Sequence, residues 1–528
     1  MVTLFKDSSL PVETRVGDLV SRMTLQEKIG QMTVAGSSHL ARSSDIARLG
    51  IGSLLVEAAV TTAAGTTAAE ADTWQKISLN ARLPVPLLLA AGVAGSTRFP
   101  SAAGLAASLD PRLAKAVGRA SADELAAAGI RWSLDSDLGM DDAQSSILAT
   151  VEVTKEDTAN ADLALLKAAL VHGVQAIRVP MNADRKLVTE VLKQRMGFDG
   201  FVVSVKGPMT QAPPAFAEVV RTAVNAGIDM FVVPADYALF VGTVAGEVKA
   251  GRISAERIDD AVRRILRVKL RLGLFEHPFA AQQPGAPAGS AEHRELALRA
   301  VRESVVLLKN DGQILPLPRT TRRILVVGTL ADDLAGQSGA AGTGSSGAAG
   351  GLIGTTIREG IAKAVRPGSL VVYDPQGLRA AEGFDVAIAV IGGTSAEAVA
   401  LLPGQAGADP LNAADLDALS RLKAAGLPII VVLVSSGPLD IADSISDWQA
   451  AVAAWLPGTE GSGIAEVLFG LYAPSGRLPM SWPAGAASAP AAPAAAAPAG
   501  VASDGVSSGA AGAAAAPLFP AGFGLAYR

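Results

Sequence analysis

Cysteine is absent from all 528 residues. This excludes disulfides, thiolate nucleophiles, and metal or iron–sulfur sites built on cysteine. Histidine is scarce: His39, His172, His277 and His293 are scattered along the chain, so no zinc site is expected. No motif calls for a cofactor. No apolar run is long enough to span a bilayer. The best candidate, LPIIVVLV from Leu427 to Val434, has strand length and contains Pro428. Nothing from Met1 to Asp7 resembles a signal peptide, which makes the cytoplasm the expected location. Basic patches are lacking and the net charge is −5, so neither nucleic acid nor a membrane is an expected partner. Aromatics make up only 4% of the chain, a poor supply of the stacking platforms on which sugar sites usually rely.

What is present describes a folded protein. Hydrophobic residues reach 49% and charged residues only 18%, which excludes wholesale disorder. The length exceeds what one core usually serves, so two domains are expected. Val16, Leu19, Val20 and Met23 share one helix face, and Thr24 with Glu27 spells a capping box for the next helix. Six short apolar strands follow: Gly52–Val56, Pro86–Ala91, Gly129–Leu134, Val174–Val179, Gly200–Val205 and Gly227–Pro234. Helical patterns separate them, such as Arg112–Ala127 and Ala215–Ala226, and the amphipathic segment Ala255–Leu270 closes the unit. Alternating strands and helices predict parallel β/α units, for which a barrel is the natural closed form. A Pro/Gly/Ala stretch, Ala280–Ser290, then leads to a second α/β region. It opens with a predicted helix Arg294–Leu308 and has strands Ile324–Gly328, Leu370–Tyr373, Val386–Ile391 and Ile429–Val434. Residues 484–516 are almost entirely Ala, Pro, Gly and Ser and read as a flexible loop. The expected division is a barrel domain over 1–276, a linker over 277–298 and an α/β sandwich over 299–483. The low-complexity loop 484–516 and a tail, 517–528, that packs back on the fold complete it.

Several segments resemble the family 3 glycoside hydrolases, the β-glucosidase and exo-glucanase group. They are SLPVETRVGDLVSRMTLQEKIGQM (Ser9 to Met32), GIRWSL (Gly129 to Leu134), GFDGFVVS (Gly197 to Ser204) and AGIDMFVVP (Ala226 to Pro234). RIDDAVRRILRVKLRLGLFE (Arg257 to Glu276), ESVVLLKNDGQILPLP (Glu303 to Pro318) and AAWLPGTEGSGIAEVLFGLYAPSGRLPMSWP (Ala453 to Pro483) continue the series in the family's order. The tail PLFPAGFGLAY completes it. The resemblance implies an α/β architecture of a (β/α)8-type barrel followed by an α/β sandwich. It also implies retaining hydrolysis by a carboxylate nucleophile and a carboxyl acid/base.

The residues expected to do that chemistry are largely missing. The family's nucleophile is the Asp of a GFVxSDW-like motif. Here the stretch reads GFVVSVKGP, with Val205 at the Asp position and Lys206 at the neighbouring Trp position. Valine has no lone pair and forms no glycosyl-enzyme. The Asp that clamps the terminal sugar is replaced by Gly92, and the family's Asp-Pro-Arg-Trp-Gly-Arg segment is absent after GIRWSL. No Lys-His pair follows, and the short span from Met140 to Val174 suggests that a barrel strand is deleted, leaving a truncated or remodelled barrel. A Trp expected near Ala341 gives way to the loop Gly339–Gly351. Glu397, in VIGGTSAEAV, stands close to the family's acid/base position, and the plainer reading is a solvent-exposed loop residue.

Other constellations carry alternatives. Asp135, Asp137, Asp141 and Asp142 cluster after a predicted barrel strand. Asp135 and Asp137 are candidate replacement carboxylates, and all four together are a candidate binding cluster, although a solvated loop explains them as well. The spacing is not that of an EF-hand, because Met140 and Ser146 stand where Gly and Glu belong. Arg131, Arg178 and Lys206 bring positive charge to the barrel, either as a ligand site or as structural ion pairs. Gly342, Gly344 and Gly347 satisfy G-x-G-x-x-G but do not follow a strand directly, so a Gly-rich loop explains them better than a dinucleotide site. Trp455 and Trp482 read as core. The functional expectation is a pseudoenzyme or repurposed enzyme that binds a small, less polar ligand. The alternatives are an active β-glucoside hydrolase using a relocated carboxylate, or a scaffold that self-associates or pairs with an active paralogue.

Overall fold

A computed structural model describes residues 3–56, 66–91, 98–134, 148, 150–152, 174–205, 213–280, 289–339, 352–393, 409–484 and 516–527. The chain divides into two compact units. The first comprises Met1–Thr97, Ala114–His293 and Gly347–Ile353, and the second Arg98–Leu113, Arg294–Ser346 and Gly354–Arg528. Among the described residues, no helix is long and apolar enough to cross a membrane.

The first unit is built on eight parallel strands: β1 (Thr33–Gly36), β2 (Ser53–Leu55), β3 (Leu88–Ala91), β4 (Trp132–Ser133), β5 (Thr150–Glu152), β6 (Ala176–Val179), β7 (Phe201–Ser204) and β8 (Phe231–Val232). Their neighbours run β4-β3-β2-β1-β8 and β5-β6-β7. Parallel bridges Val203↔Met230 and Trp132↔Leu148 join these two sheets at both ends, so the strands close into a ring. The deletion of a barrel strand expected from the sequence is therefore overturned, because β5 occupies that place. It was hidden because it is three residues long and carries Thr150 and Glu152, so it offers no apolar run. The strand β1 also escaped the pattern. Its burial is complete, but the helix Leu25–Gln31 runs into it after only Met32.

Helix ends match their local chemistry. Thr24 accepts from the Glu27 N–H while Glu27 accepts from the Thr24 N–H, the capping box that starts Leu25–Gln31. Ser254 caps Ala255–Arg271, whose buried face carries Ile258, Val262, Ile265 and Leu266. That helix also buries Lys269 completely. Its ammonium donates to Gln31 Oε1 (2.8 Å), Gly52 O (2.7 Å) and Pro86 O (2.8 Å), just before β2 and β3. Three acceptors match three N–H groups, while burial pushes the Lys269 pKa down to about 7.

The second unit is a six-stranded sheet of β9 (Val306–Asn310), β10 (Arg323–Val327), β11 (Leu370–Tyr373), β12 (Val386–Gly392), β14 (Ile429–Val434) and β16 (Ala450–Trp455). A separate short pair consists of β13 (Asp409–Pro410) and β15 (Leu439–Asp440). The order is β11-β10-β12-β14-β16-β9, parallel except for β9 against β16. Strand periodicity explains the two cores. Val386, Ile388 and Val390 of β12 enter one, and Ala387, Ala389 and Ile391 enter the other. Trp455 and Trp482 are fully buried, with their indole N–H groups on Ser304 O and Leu439 O, so both serve the core. The helix predicted over Arg294–Leu308 is Ala291–Ser304, and the following VVLL run belongs to the entry into β9.

Candidate functional site

Barrel chemistry sits at the C-terminal ends of the strands, so the side chains pointing into the ring there define the candidate site. Two contacts identify the interior face. Trp132 of β4 and Phe201 of β7 meet edge to face at 5.3 Å although their strands are not neighbours. Trp132 Nε1 also donates to Thr150 Oγ1 of β5 at 2.8 Å. Side chains alternate along a strand. Leu134, Val203 and Val205 therefore share the inward phase of Trp132 and Phe201. Ala176 is in register with Phe201, which carries the same phase to Arg178.

Val205 directly follows β7, and its N–H donates to Val179 O at 2.9 Å. It stands at the C-terminal end of β7 and is half-buried. Below it, Ser204 is buried, and its Oγ accepts from the Val232 N–H at 3.1 Å. This hydroxyl serves the β7–β8 wall. Leu134 and Val232 are buried apolar residues at the inward phase, whereas Val56, Ala91, Val179 and Val233 are buried on the outer side of their strands. Ala91 is the last residue of β3, so no carboxylate stands at that strand end.

Of the cationic residues expected here, the structure separates two. Arg178 is at the inward phase, and its Nη1 donates to Leu134 O at 2.8 Å, beyond the end of β4. Arg131 is one residue out of phase with Trp132. Its Nη2 donates to Leu272 O at 2.8 Å, at the C-terminus of the helix Ala255–Arg271. A cation there satisfies a helix-end carbonyl. The remaining sequence candidates lie outside the described residues: Glu397, Asp135, Asp137, Asp141, Asp142, Lys206, Gly92, His172 and the Gly342–Gly347 motif. Among the described residues, no group of three or more His, Asp or Glu is arranged to hold a metal ion.

Two features near these elements were not found from the sequence. Tyr237 opens the helix after β8. Its hydroxyl donates to Asp45 Oδ2 (2.9 Å) and accepts from the Ala41 N–H (2.8 Å), which ties that helix to the segment following β1. In the second unit, Gly393 bridges Leu411 across the base of the 394–408 segment that contains Glu397. Asp415 underpins this base. Its Oδ2 accepts from the Gly392 N–H (3.1 Å) and Asn412 Nδ2 (2.6 Å). Burial pushes its carboxyl up to about 6, against the lowering effect of those hydrogen bonds.

Because the folded value lies above the unfolded carboxylate value of about 4, folding takes up a proton between them. The stabilising contribution is complete below about pH 4 and is lost as pH rises through about 6. Asp415→Asn is therefore expected to flatten this part of the stability profile, by on the order of 2 kcal/mol across that window. Urea titrations between pH 4 and 7 check this. An unchanged slope would show that Asp415 is not the titrating group.

Comparison with known proteins agrees with both units. Residues 24–146 and 149–268 match the glycosyl hydrolase family 3 N-terminal domain. Residues 305–527 match the glycosyl hydrolase family 3 C-terminal domain. The chain is 29% identical to a periplasmic β-glucosidase of Salmonella typhimurium, over 92% of this chain and 76% of that protein. It is 30% identical to a lysosomal β-glucosidase of Dictyostelium discoideum, over 58% of this chain but only 40% of that protein. Among solved structures, an exo-1,3/1,4-β-glucanase from a Pseudoalteromonas species superposes with a TM-score of 0.76 at 27% identity, covering 98% of this chain and 74% of the glucanase. With an eight-stranded parallel ring, a mixed six-stranded sandwich sheet and a match to both halves of the family pattern, this chain belongs to glycosyl hydrolase family 3.

Proposed function

We propose that this protein is a β-glucosidase-like member of its family that has given up ordinary retaining hydrolysis and holds a small ligand at the barrel mouth. One observation carries the reading: Val205 stands at the C-terminal end of β7, in the phase that points into the ring. A retaining mechanism needs two carboxyl groups about 5 Å apart, one of them the nucleophile. A valine there offers no electron pair to an anomeric carbon. The inward Val203, Leu134 and Val232 favour a ligand that is less polar than an unmodified sugar over part of its surface.

A second reading is an active hydrolase of β-D-glucosides that uses a relocated carboxylate, with Asp135 or Asp137 partnered by Glu397. It is favoured by the relatives, which include β-glucosidases and a β-xylosidase of Formosa agariphila. Turnover of 4-nitrophenyl β-D-glucoside and β-D-xyloside by the purified chain separates the two. The first reading expects rates indistinguishable from buffer. Robust turnover that disappears in both Glu397→Gln and Asp137→Asn would establish the second.

A further inference from the structure

We infer that the open edge of the second unit's sheet is a self-association surface, on which β11 of a second copy of this chain pairs antiparallel with β11 of the first. The surface lies in the second unit and does not depend on how the barrel mouth is read.

The two edges of the sheet differ. At β9 the chain closes its own edge, because the Leu525 N–H donates to Leu307 O at 2.8 Å and the two residues form an antiparallel bridge. At the other end of the strand order stands β11, and among the described residues no strand lies beyond it. Its inner side is spent on β10. The Leu370 N–H donates to Arg322 O at 2.7 Å, and the Asp374 N–H to Val326 O at 2.9 Å. Backbone groups alternate sides along a strand, so the N–H and C=O groups of Val371 and Tyr373 face outward. Sheets usually blunt such an edge with a lysine, a proline or a bulge. Leu370–Tyr373 reads LVVY, pairs with β10 without a register shift and carries none of these devices.

Register selects the partner. When two copies pair antiparallel about Val372, Val371 of each stands opposite Tyr373 of the other. Each such pair exchanges both N–H···O bonds, so every outward group of the strand finds a partner. A two-fold contact of this kind is self-complementary and closed. Exposed apolar side chains flank the strand at its start and beyond its end, Leu370 at 47% and Leu378 at 66% exposure. Antiparallel pairing sets the start of one strand beside the end of the other.

The charges favour the same arrangement. Where β11 begins, Arg319, Arg322 and Arg366 are exposed. The backbone gathers them, since the Arg366 N–H donates to Arg319 O at 2.9 Å while Arg322 O holds Leu370. The carboxylate at that end is Asp385, whose Oδ2 is taken by the Arg322 and Arg323 N–H groups. Where β11 ends, Asp332 and Asp333 lie close enough to act on the Tyr373 hydroxyl, and Asp374 follows directly. Arg358 is paired with Asp332 there, and Arg379 with Glu382. Two-fold pairing lays the arginine end of each copy beside the aspartate end of the other. An acidic peptide added to the edge would suit the arginines but meet the aspartates with like charge.

The test is sedimentation equilibrium of the full chain, with amide hydrogen exchange on the same samples. Monomer is expected to give way to dimer between about 1 and 100 µM, the range of small transient interfaces. Slow exchange at Val371 and Tyr373 should appear together with the dimer. Val371→Pro removes an outward donor without touching a bond to β10, and should weaken the dimer tenfold or more at an unchanged melting temperature. The double variant Arg322→Glu with Arg366→Glu should do the same, and serves alone if Val371→Pro does not fold. Salt at about 0.5 M should also weaken the dimer of the unaltered chain. A chain that stays monomeric over the whole range, or a dimer that survives the substitutions, would overturn the inference. So would slow exchange of the two amides in the monomer, which would show that another segment of this chain covers the edge.

Discussion

Val205→Asp is expected to leave turnover of an aryl β-glucoside more than about a thousandfold below that of the Salmonella periplasmic β-glucosidase. Removing a nucleophile from an enzyme whose catalytic groups act as a unit costs about 10⁴- to 10⁶-fold, and restoring one member recovers little while the others are missing. Other positions of the family pattern also differ in this sequence. The β3 strand ends in Ala91, followed by Gly92, where the family's clamping Asp is expected. Lys206 stands where a Trp platform is expected. Catalysis depends on contacts that strengthen in the transition state, and the hydroxyl clamp supplies many of these. Ionisation of the new carboxylate is not the obstacle, because Arg178 lies one layer below and favours the charged form. A steady-state assay with 4-nitrophenyl β-D-glucoside decides the matter. Recovery to within tenfold of the Salmonella enzyme would show that the clamp is dispensable and that the mouth is less remodelled than the strand ends indicate.

The sequence exposed different parts of the molecule unevenly. Six barrel strands were legible because each is a short apolar run bounded by turn residues. The two that were missed lack one half of that signal. Val34 and Ala35 of β1 follow a helix after scarcely a residue of separation, and β5 presents Thr150 and Glu152 in place of apolar residues. The boundary between Ala291–Ser304 and β9 was misread because VVLL fits a buried helix end as well as a strand start. At the site, the place of Val205 at a strand end could be read directly, since it falls inside a long matched motif. The separation of Arg131 from Arg178 could not. Both follow a hydrophobic residue on a predicted strand, and only the phase relative to Trp132 and Phe201, fixed by contacts across the ring, sends one outward and the other inward. Asp415 was equally hidden. Its perturbation comes from burial beside Gly392, a residue 23 positions away, and nothing local announces it.

Asp229→Ala is expected to be the most damaging single substitution for the stability of the first unit, costing about 3–5 kcal/mol and lowering its melting temperature by roughly 10 °C. Asp229 lies immediately before Met230 and β8, and it is fully buried. Its Oδ1 accepts from Lys193 Nζ at 2.7 Å and is paired with Arg257, while Oδ2 accepts from the Val202 N–H at 2.8 Å. One carboxylate thus balances two buried cations and satisfies a backbone donor of β7. Burial already holds Lys193 down to about 8, with Asp229 pulling it up and the Arg257 and Arg264 guanidiniums pushing it down. Without Asp229, the two cations face each other in a dry environment and the Val202 N–H loses its acceptor. Asp229→Asn should lose most of the same stability, because it keeps the volume and removes the charge. Asp260→Ala should cost under about 1 kcal/mol, since that side chain is 44% exposed and its pairs are screened by solvent. The sign of the pH dependence follows from Lys193. A lysine whose folded value is depressed weighs against folding most heavily below that value, where it must carry its charge. The deficit of Asp229→Ala is therefore expected to be larger at pH 6 than at pH 9, where Lys193 sheds its proton and leaves Arg257 as the only buried cation of the pair. Chemical denaturation at the two pH values measures both quantities. A loss below about 1 kcal/mol, or a deficit that grows toward pH 9, would show that the wall between β7 and β8 does not depend on this carboxylate.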